Sequence, residues 1–428
     1  MSAAAPVPSQ PSIVRVLFSR SMLVALLLGF SSGLPLLLTG STLQAWMVDA
    51  KVDLAAIGLF TLVGLPYTLK FLWSPVFDRF VPPFLGRRRG WLLITQIALF
   101  VAVAGLSFAQ PERSPWVVAL LAMGVTFASA SQDIVADAWR RESFPDRELG
   151  LATSIFINGY RAAMLVAGAL ALFLADQIPW HDVYMLMAAL MGLGLVSTLL
   201  AREPQVEGPP PRTFQESVVE PFVDFFRRRG AWLILLFIVL YKVGDQMAST
   251  MTTPFALSLG FTKTDLAAIV KVFGLVAMMT GAFVGGLAMV RLGIHRALWV
   301  FGVLQAAGIL LFAALAQAGK DYALLAAAVS AENFSFGLGT AAYSAYMASV
   351  TNRRFTATQL ALLSSLMGVP RVLLSAPTGK LAESFGWTGF FVFCAVAAIP
   401  GLLLLPKVAP WRGANPAGGT GGSGDPAR

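Results

Sequence analysis

Charged side chains inside long apolar segments are the residues of this sequence whose chemistry most needs an explanation. Asp133, Asp245 and Glu332 are carboxylates in such segments, and Arg161 and Lys242 are cations. An ionisable group inside a membrane helix costs about 2.5–3.5 kcal/mol on insertion scales, so each group needs a partner, a water-filled cavity or a function. Cations at mid-depth favour a cavity for an anionic ligand, and carboxylates beside them favour coupling to a proton gradient.

Position along each segment gives the depth of these groups, at about 1.5 Å of helix per residue. Arg161, Arg371 and Lys242 lie roughly 16–18 Å from one end of their segments, and Glu332 lies roughly 15 Å from the other, all near mid-membrane. We predict that the substrate-binding cations are Lys242, Arg161, Arg371 and Lys271. Lys70 is near a helix end and is expected to reach the membrane surface, so it is left out.

Asp133 is the predicted carrier of the coupling proton. Arg161, on the neighbouring segment, would favour the ionised carboxyl in one conformation, and desolvation would favour the protonated carboxyl in another. Glu332 and Asp245 are the rival coupling sites, ranked lower because each has a nearer cation. The structural alternative is that these charges only neutralise one another and take no part in transport. The candidate ion pairs are Asp133 with Arg161, Glu332 with Arg371, and Lys242 with Asp245 on one helix face.

Polar and aromatic side chains in the same segments complete the predicted substrate site. These are Gln44, Trp46, Tyr67, Gln132, Tyr160 and Tyr241. Aromatic faces stack on sugar rings, and amides bond hydroxyl groups. Ordinary packing is the alternative for each, and Trp46 also suits the aromatic belt at a membrane surface.

The segments that carry these residues are typical of a membrane protein. The 428 residues are 57% hydrophobic and only 12% charged, about half the charged fraction of a soluble domain. We predict an all-α fold, because a backbone exposed to lipid must satisfy its own hydrogen bonds. Twelve segments can cross about 30 Å of hydrocarbon, at 21–47, 54–73, 90–109, 115–139, 149–174, 182–200, 231–257, 265–290, 297–317, 322–350, 359–382 and 388–406, here numbered spans 1 to 12.

The basic residues predict the orientation of the chain in the membrane. With a cytoplasmic N-terminus, only Lys51, Arg113, Lys263 and Lys320 fall in outside loops, and most of the 31 Lys and Arg residues face inside. Such a bias follows the positive-inside rule and places both termini in the cytoplasm, in a multi-pass membrane protein. The net charge of +9 therefore predicts topology, and no nucleic-acid partner is expected.

Internal similarity divides the chain into two halves. Arg161 and Arg371 each stand twelve residues after the start of their spans, 210 residues apart (371 − 161), and the segments 74–79 and 286–291 are 212 apart. We predict a six-helix bundle over 1–200, a cytoplasmic linker with an amphipathic segment over 201–230, a second bundle over 231–406, and a disordered tail over 407–428. Parallel six-helix repeats are the architecture of major facilitator transporters.

The loop after span 2 resembles the signature loop of that superfamily. It contains Asp78 and Arg79, then Gly86 and the run Arg87 to Arg89, with Ser74 in place of the leading glycine and five extra residues before Gly86. The resemblance implies that Asp78 and Arg79 help to latch the two halves on the cytoplasmic side. A plain positive-inside anchor is the alternative, and the arginine run itself is interpreted as topology.

Several kinds of chemistry are excluded by what the sequence contains. The only cysteine, Cys394, cannot form an intrachain disulfide, and both histidines fall in predicted loops, so no metal site is expected. Neither a phosphate-binding loop nor a transport-ATPase motif is present. We therefore expect a protein that is not an enzyme and uses no cofactor beyond the proton-motive force.

Longer motifs resemble the AmpG-type muropeptide permeases. They lie at 32–35 with 43–47, at 70–75 with 78–79 and 86–91, at 129–139, at 231–236 with 241–242, and at 357–359, and the insertion before Gly86 is normal in that family. The resemblance covers about 30–405 and implies proton-driven import of anhydromuropeptides, disaccharides that bear a short acidic peptide, across the bacterial inner membrane for peptidoglycan recycling. It also implies a protein that works as a monomer in a lipid bilayer.

Two other functions remain open on the residues alone. A related carrier of another bulky anion, such as acetyl-CoA, would need cations matched to phosphates. A membrane receptor or scaffold would move no substrate and would need no charge at mid-membrane.

Overall fold

The computed structural model describes residues 13–53, 57, 60–205, 210–213, 215–228, 230–368 and 377–411, and leaves aside the side chains of residues 61, 263, 264, 267, 268 and 271. In these ranges the chain is helical and contains no β-strand. The predicted all-α fold is confirmed. The predicted disorder of the tail falls mainly on residues outside the description, and Lys407 still belongs to the last helix, Ile399–Val408.

Spans 1 to 6 form the N-terminal half. Their helices are Arg20–Leu38 and Ser41–Asp49 (span 1), Phe60–Gly64, Leu65–Leu69, Lys70–Leu72 and Pro75–Arg79 (span 2), Arg87–Ser107 (span 3), Pro115–Ser143 (span 4), Asp146–Leu165, Val166–Leu170 and Ala171–Ala175 (span 5), and Trp180–Leu190 and Gly192–Leu200 (span 6). Span 2 is divided into short pieces, and Pro66 and Pro75 each stand in the first turn of a new piece. Proline cannot donate a backbone hydrogen bond and so begins helices rather than continuing them.

Spans 7 to 12 form the C-terminal half. Their helices are Ala231–Leu240 and Val243–Ser258 (span 7), Lys263–Leu266, Ala267–Phe273 and the long helix Gly274–Ala318 (spans 8 and 9), Tyr322–Ser349 (span 10), Arg353–Phe355 and Thr356–Leu366 (span 11), and Thr378–Ala397 and Ile399–Val408 (the end of span 11 and span 12). The connection between the halves contains Gln215–Val219 and Glu220–Arg227, and the short helix Ile13–Leu17 precedes span 1.

Two helices are broken at a glycine between consecutive spans. Within the described ranges, eight helices are long and apolar enough to cross a bilayer. Gly293 breaks the 45-residue helix Gly274–Ala318, and Gly386 breaks Thr378–Ala397, both with positive φ angles of 76° and 64°. With these breaks and the shorter or more polar helices of spans 2, 10 and 11, the twelve predicted crossings are accounted for.

Glycines allow helices within each half to pack backbone to backbone. A Cβ atom on Gly29 of span 1 would lie 2.1 Å from the carbonyl oxygen of Phe156 in span 5. A Cβ atom on Gly281 of span 8 would lie 2.1 Å from the carbonyl oxygen of Phe334 in span 10. Small residues let membrane helices approach this closely, so these crossings fix the arrangement of each half.

The two halves meet through spans 5 and 8 and through the start of span 11. The Ser154 hydroxyl donates to the Ala282 carbonyl, and Gly286 packs directly on the Ser154 side chain. These contacts lie toward the end of the molecule that carries Asp78, Arg88, Arg141 and Arg291, which we call the basic end. The opposite end carries Trp46 and Trp180, which stack with ring centroids 5.9 Å apart.

Candidate functional site

A cavity of about 640 Å³ lies between the two halves, farther from the basic end than the contacts that join them. Spans 1 and 5 form one wall, and spans 7, 8 and 10 form the other. The polar lining is Tyr160, Arg161, Gln246, Ser249, Glu332 and Asn333, and the apolar lining is Leu36, Leu37, Met164, Met278 and Phe336. Small-molecule sites usually measure about 300–1,000 Å³, so the cavity can hold a ligand that both halves contact.

A second lobe extends this cavity toward the opposite end. It measures about 530 Å³ and shares Leu37, Arg161, Met164, Met278 and Asn333 with the first lobe. Its other lining residues include Gly168 and Ala169 of span 5 and Val270 and Leu275 of span 8. The continuous space is elongated and amphipathic, which suits a bulky ligand with polar and apolar parts.

A buried ion pair lies in the C-terminal half beside the cavity. Lys242 stands between the two helices of span 7 and is 5% exposed. Its Nζ donates to Asp245 Oδ2 at 3.0 Å and to Gln305 Oε1 at 2.7 Å. The same Nζ lies 4.2 Å from the centre of the Phe336 ring, and Phe336 lines the cavity. The ammonium group therefore meets Asp245, as the pairing alternative predicted, and the ring separates it from the cavity.

Glu332 is the carboxylate that reaches the cavity from the C-terminal half. Its Oε2 accepts from Asn333 Nδ2 at 2.8 Å, and the charges of Asp245 and Lys242 act on it. Among the ion pairs between described residues, none includes Glu332. Its predicted pairing with Arg371 cannot be compared with the structure, because Arg371 lies outside the described residues, as does the side chain of Lys271.

Asp133 lies in the N-terminal half, near a cation that the sequence interpretation left out. The charge that acts most strongly on its carboxyl group is that of Lys70, which is buried at 8% exposure instead of reaching the membrane surface. The Ser32 hydroxyl also hydrogen-bonds to the carboxyl group. Asp133 Oδ1 is nevertheless buried without a hydrogen-bond partner, and none of the ion pairs between described residues includes Asp133.

Arg161 does not occupy the place expected for the partner of Asp133. After Lys70, the charges acting most strongly on Asp133 are those of Asp137 and Arg140, which form their own ion pair at 2.8 Å. Arg161 instead lines the cavity, where its Nη1 lies 3.5 Å from Met164 Sδ. Arg161 lies where its predicted role in substrate binding requires, and that role stays a prediction. The expected charged neighbour of Asp133 was Arg161, and the structure places Lys70 there instead.

Tyr160 connects the cavity with the surroundings of Asp133. It lines the cavity, and Asp133 is the charged group that acts most strongly on its phenol. The charge of Asp133 also acts on the phenol of Tyr67, whose hydroxyl donates to Ser129 Oγ at 3.0 Å. A carboxyl group screened from the cavity by a tyrosine can respond to a ligand without touching it.

Besides Lys242 and Tyr67, four predicted substrate-binding residues lie away from the cavity lining in this conformation. Gln132 is fully buried and donates to Ser31 Oγ at 3.0 Å, which joins spans 4 and 1. Trp46 packs against Trp180 and Tyr184 at the opposite end, and the half-buried Gln44 stands two residues before it. Tyr241 donates to the Leu298 carbonyl at 3.0 Å and stacks on Tyr343. Packing, the alternative stated for each, describes these four positions.

The basic end is held closed by a charge cluster centred on Asp78. Both Asp78 and Arg88 are 0% exposed, and Arg88 Nη2 lies 2.8 Å from Asp78 Oδ1 and 2.6 Å from Glu142 Oε1. Across the interface, Asp78 Oδ2 accepts from the Thr358 amide at 2.9 Å and from the Thr358 hydroxyl at 2.8 Å. The Asp78 carboxylate thus caps the first turn of span 11, where the helix dipole favours negative charge. We call this contact the Asp78 latch.

Of the two residues predicted to latch the halves, Asp78 lies in this cluster and Arg79 does not form an ion pair with it. Arg79 packs on the ring of Phe80, with its guanidinium carbon 5.1 Å from the ring centre, and Arg88 makes the ion pair. The arginine run therefore does more than set topology. Arg79 and Arg88 both follow Asp78 in the same loop, so only the packing of that loop decides which of them pairs with the carboxylate.

The linker also contributes residues that the sequence did not single out. Glu203 accepts from the backbone amides of Arg88 and Arg89 at 2.8 and 2.9 Å, which caps span 3. Asp224 accepts from Gln359 Nε2 at 2.8 Å and from Asn352 Nδ2 at 3.1 Å, which joins the linker to the start of span 11. An isolated acid in a loop is a weak signal, so these anchors could be recognised only from the structure.

Comparison with known proteins agrees with this architecture. Residues 22–375 match the model of the Major Facilitator Superfamily. The anhydromuropeptide permease of Escherichia coli K12 is 48% identical over 384 residues, 89% of this chain and 78% of that protein. A protein of Rickettsia felis named putative transporter AmpG 4 is 32% identical over 89% of this chain and 94% of its own length.

Solved structures show the same fold at low sequence identity. The fucose:proton symporter FucP of E. coli matches with a TM-score of 0.72 and 12% identity, over 92% of this chain and 99% of that chain. The two halves, the twelve crossings and the cavity between them are thus those of a known transporter architecture, and the predicted multi-pass inner-membrane protein that is not an enzyme is confirmed by its relatives. This chain belongs to the Major Facilitator Superfamily and, within it, to the family of the E. coli anhydromuropeptide permease.

Proposed function

We propose that this protein imports anhydromuropeptides across the bacterial inner membrane, driven by the proton gradient. The observation that carries the proposal is the 48% identity with the E. coli permease of that name, over 89% of the chain. The elongated cavity between the halves supports it, because a disaccharide with an attached peptide needs a long site with mixed chemistry.

The lining of the cavity fits the parts of such a substrate. The Arg161 guanidinium suits a peptide carboxylate, and the rings of Tyr160 and Phe336 suit sugar faces. Gln246, Ser249 and Asn333 supply hydrogen-bonding groups for hydroxyls and amides. Among the described lining residues Arg161 is the one cation, which is a poor match for the several phosphate groups of a carrier substrate such as acetyl-CoA.

Asp133 remains the proposed site of the coupling proton. Its unpartnered Oδ1 makes the ionised form costly in this conformation, and a proton on the carboxyl group would remove that cost. The charged and titratable groups around it are Lys70 on span 2, Asp137 and Arg140 on its own helix, and Tyr67 and Tyr160. A movement of span 2 that brings Lys70 into contact would favour release of the proton.

The basic residues support an orientation in which the basic end faces the cytoplasm. In that orientation the Asp78 latch closes the cytoplasmic side, and the cavity is directed toward the periplasm. The inward step then needs the latch to open and the opposite end to close. Both walls of the cavity come from one chain, and we propose that the monomer is the transporting unit.

Uptake into right-side-out membrane vesicles tests the proposal directly. Vesicles that contain the protein are expected to accumulate labelled anhydromuropeptide when the outside is acidic, and to lose this accumulation with a protonophore. Vesicles without the protein are the control. Accumulation that is equal with outside-acid and outside-alkaline gradients would contradict proton coupling, and no uptake beyond the control would contradict the substrate assignment.

A further inference from the structure

The Asp78 latch has a pseudo-symmetric counterpart that lacks the carboxylate. The offset of 210 residues relates Thr358 at the start of span 11 to Glu148 at the start of span 5, and the offset of 212 relates Asp78 to Val290. Span 5 begins at Asp146, and its N-cap residue, Pro145, provides no side-chain hydrogen bond. At this second contact between the halves, an apolar side chain stands where the first contact has its anion.

A cavity of about 550 Å³ occupies this position at the basic end. Arg147 of the N-terminal half lines it from one side, and Arg291 and Arg296 of the C-terminal half line it from the other. No ion pair between described residues includes any of the three arginines, and Asp146, the carboxylate in the lining, is bound by Arg141 at 2.7 Å. Arg296 Nε donates to the Trp411 carbonyl at 3.1 Å, which leaves its terminal nitrogens for another acceptor.

Apolar side chains line the same cavity beside the arginines. Met289, Val290, Leu292 and Ile294 all contribute, and Leu292 is 37% exposed. The cavity lies where span 5 begins, span 8 ends and span 9 begins, and the ends of membrane-spanning helices are where lipid headgroups are expected. A ligand with a phosphate and an adjoining acyl chain matches this lining better than a small inorganic anion does.

We propose that an anionic phospholipid binds in this cavity, with its phosphate held between Arg147 and Arg291. The planar guanidinium groups bind phosphate oxygens in pairs, which fits arginine better than lysine. Because the site draws cations from both halves, bound lipid stabilises the conformation in which the basic end is closed. The proposal depends on the fold and the cavity, not on the identity of the transported substrate.

Native mass spectrometry of the purified full-length protein tests this site. Phosphatidylglycerol is expected to remain bound under conditions that remove phosphatidylcholine. Arg291→Gln and Arg147→Gln are each expected to weaken phosphatidylglycerol binding about fivefold, since a basic residue at an anionic membrane surface contributes on the order of 1 kcal/mol. Arg227→Gln is the matched control, because Arg227 is an exposed arginine of the linker helix outside the cavity and should leave binding unchanged.

Three further outcomes would overturn the proposal. Equal retention of phosphatidylcholine and phosphatidylglycerol by the wild-type protein would show that no anion is selected. Complete displacement of phosphatidylglycerol by inorganic phosphate would assign the site to a free anion instead of a lipid. A loss with Arg227→Gln as large as with Arg291→Gln would reduce the effect to general surface charge.

Discussion

The two halves of this protein differ in how they hold a buried lysine and a buried aspartate inside the membrane-spanning region. In the C-terminal half, Lys242 and Asp245 form a direct ion pair, and Gln305 bonds the same ammonium group. In the N-terminal half, Lys70 is the cation whose charge acts most strongly on Asp133 but forms no ion pair with it, and Asp133 Oδ1 has no hydrogen-bond partner. Each half thus contains a buried lysine and a buried aspartate, and only one half joins them.

This difference separates a structural role from a transport role. A buried ion pair with a third polar partner is costly to break, because either charge left alone in a dry site is strongly destabilised. A carboxylate without a full set of partners can change its protonation at lower cost. We therefore expect the N-terminal half to couple the proton, while the pair in the C-terminal half supports the wall of the cavity behind Phe336.

The largest expected effect is that of Asp133→Asn on accumulation. The amide cannot carry a proton through the cycle, so gradient-driven accumulation of substrate should disappear, while equilibrium binding and exchange of substrate persist. Uptake and counterflow in the same vesicles measure the two properties. Asp137→Asn is the control on the same helix, where the carboxylate already has Arg140, and it should retain accumulation. If Asp133→Asn vesicles still concentrate substrate, Glu332 becomes the next candidate.

Asp245→Asn should instead reduce stability. It leaves the buried Lys242 without its counter-ion, which costs about 3–5 kcal/mol when a buried pair loses one partner. Thermal unfolding in detergent should show a clear fall in Tm, and the double substitution Lys242→Met with Asp245→Asn should recover most of it. Asp133→Asn should change Tm little, since no ion pair is broken. Equal losses for Asp133→Asn and Asp245→Asn would remove the contrast between the halves.

The two cations near the cavity should differ in their effect on substrate binding. Arg161→Gln is expected to weaken binding of the peptide-bearing substrate about 10- to 150-fold, the value of a charge-assisted hydrogen bond of about 1.5–3 kcal/mol. The peptide-free disaccharide should bind almost as before. Lys242→Met should weaken both substrates equally, because Phe336 lies between its ammonium group and the cavity. Binding measured by calorimetry would contradict this view if Lys242→Met selectively weakened the acidic substrate.

The smallest expected effect is a shift in conformation caused by Asp78→Asn. The amide keeps the size of the carboxylate and loses its charge, but Arg88 keeps Glu142 as a counter-ion, so no buried charge is left alone. The lost interaction with the first turn of span 11 should change the population ratio about two- to fivefold. Distances between spin labels placed on the two halves measure the open and closed populations. Arg79→Gln is the matched control and should leave them unchanged, because Arg79 packs on Phe80.

Sequence reasoning recovered features that depend on local pattern. Apolar length gave the twelve crossings, and a spacing of three residues on one helix gave the Lys242–Asp245 pair. The sequence pattern could not predict which residues surround Asp133, because Lys70 comes from another span and its burial depends on how spans 2 and 4 pack. Gln305, which completes the pair on Lys242, lies 63 residues away along the chain and carries no charge that would mark it.

The Asp78 latch also depends on packing that the sequence pattern does not predict, although its residues are close together in the chain. The loop motif identified Asp78, but the selection of Arg88 over Arg79 depends on which arginine points inward after span 2 ends. Five extra residues before Gly86 place Arg88 at the start of span 3, where it is fully buried. Signature motifs locate the acid because its backbone position is fixed, whereas the cation may come from any turn that reaches the same space.

The linker between the two halves is attached at two acidic residues, and the length of chain between them limits how far the attachment points can separate. Glu203 holds one end on span 3, and Asp224 holds the other on the start of span 11. The 11 residues 204–214 between the first anchor and the helix Gln215–Val219 have a contour length of about 36 Å when fully extended. A tether with that reach keeps two bodies at a high local concentration without dictating their angle. The linker therefore raises the frequency of contact between the two halves, and the side chains at their interface determine the geometry of that contact.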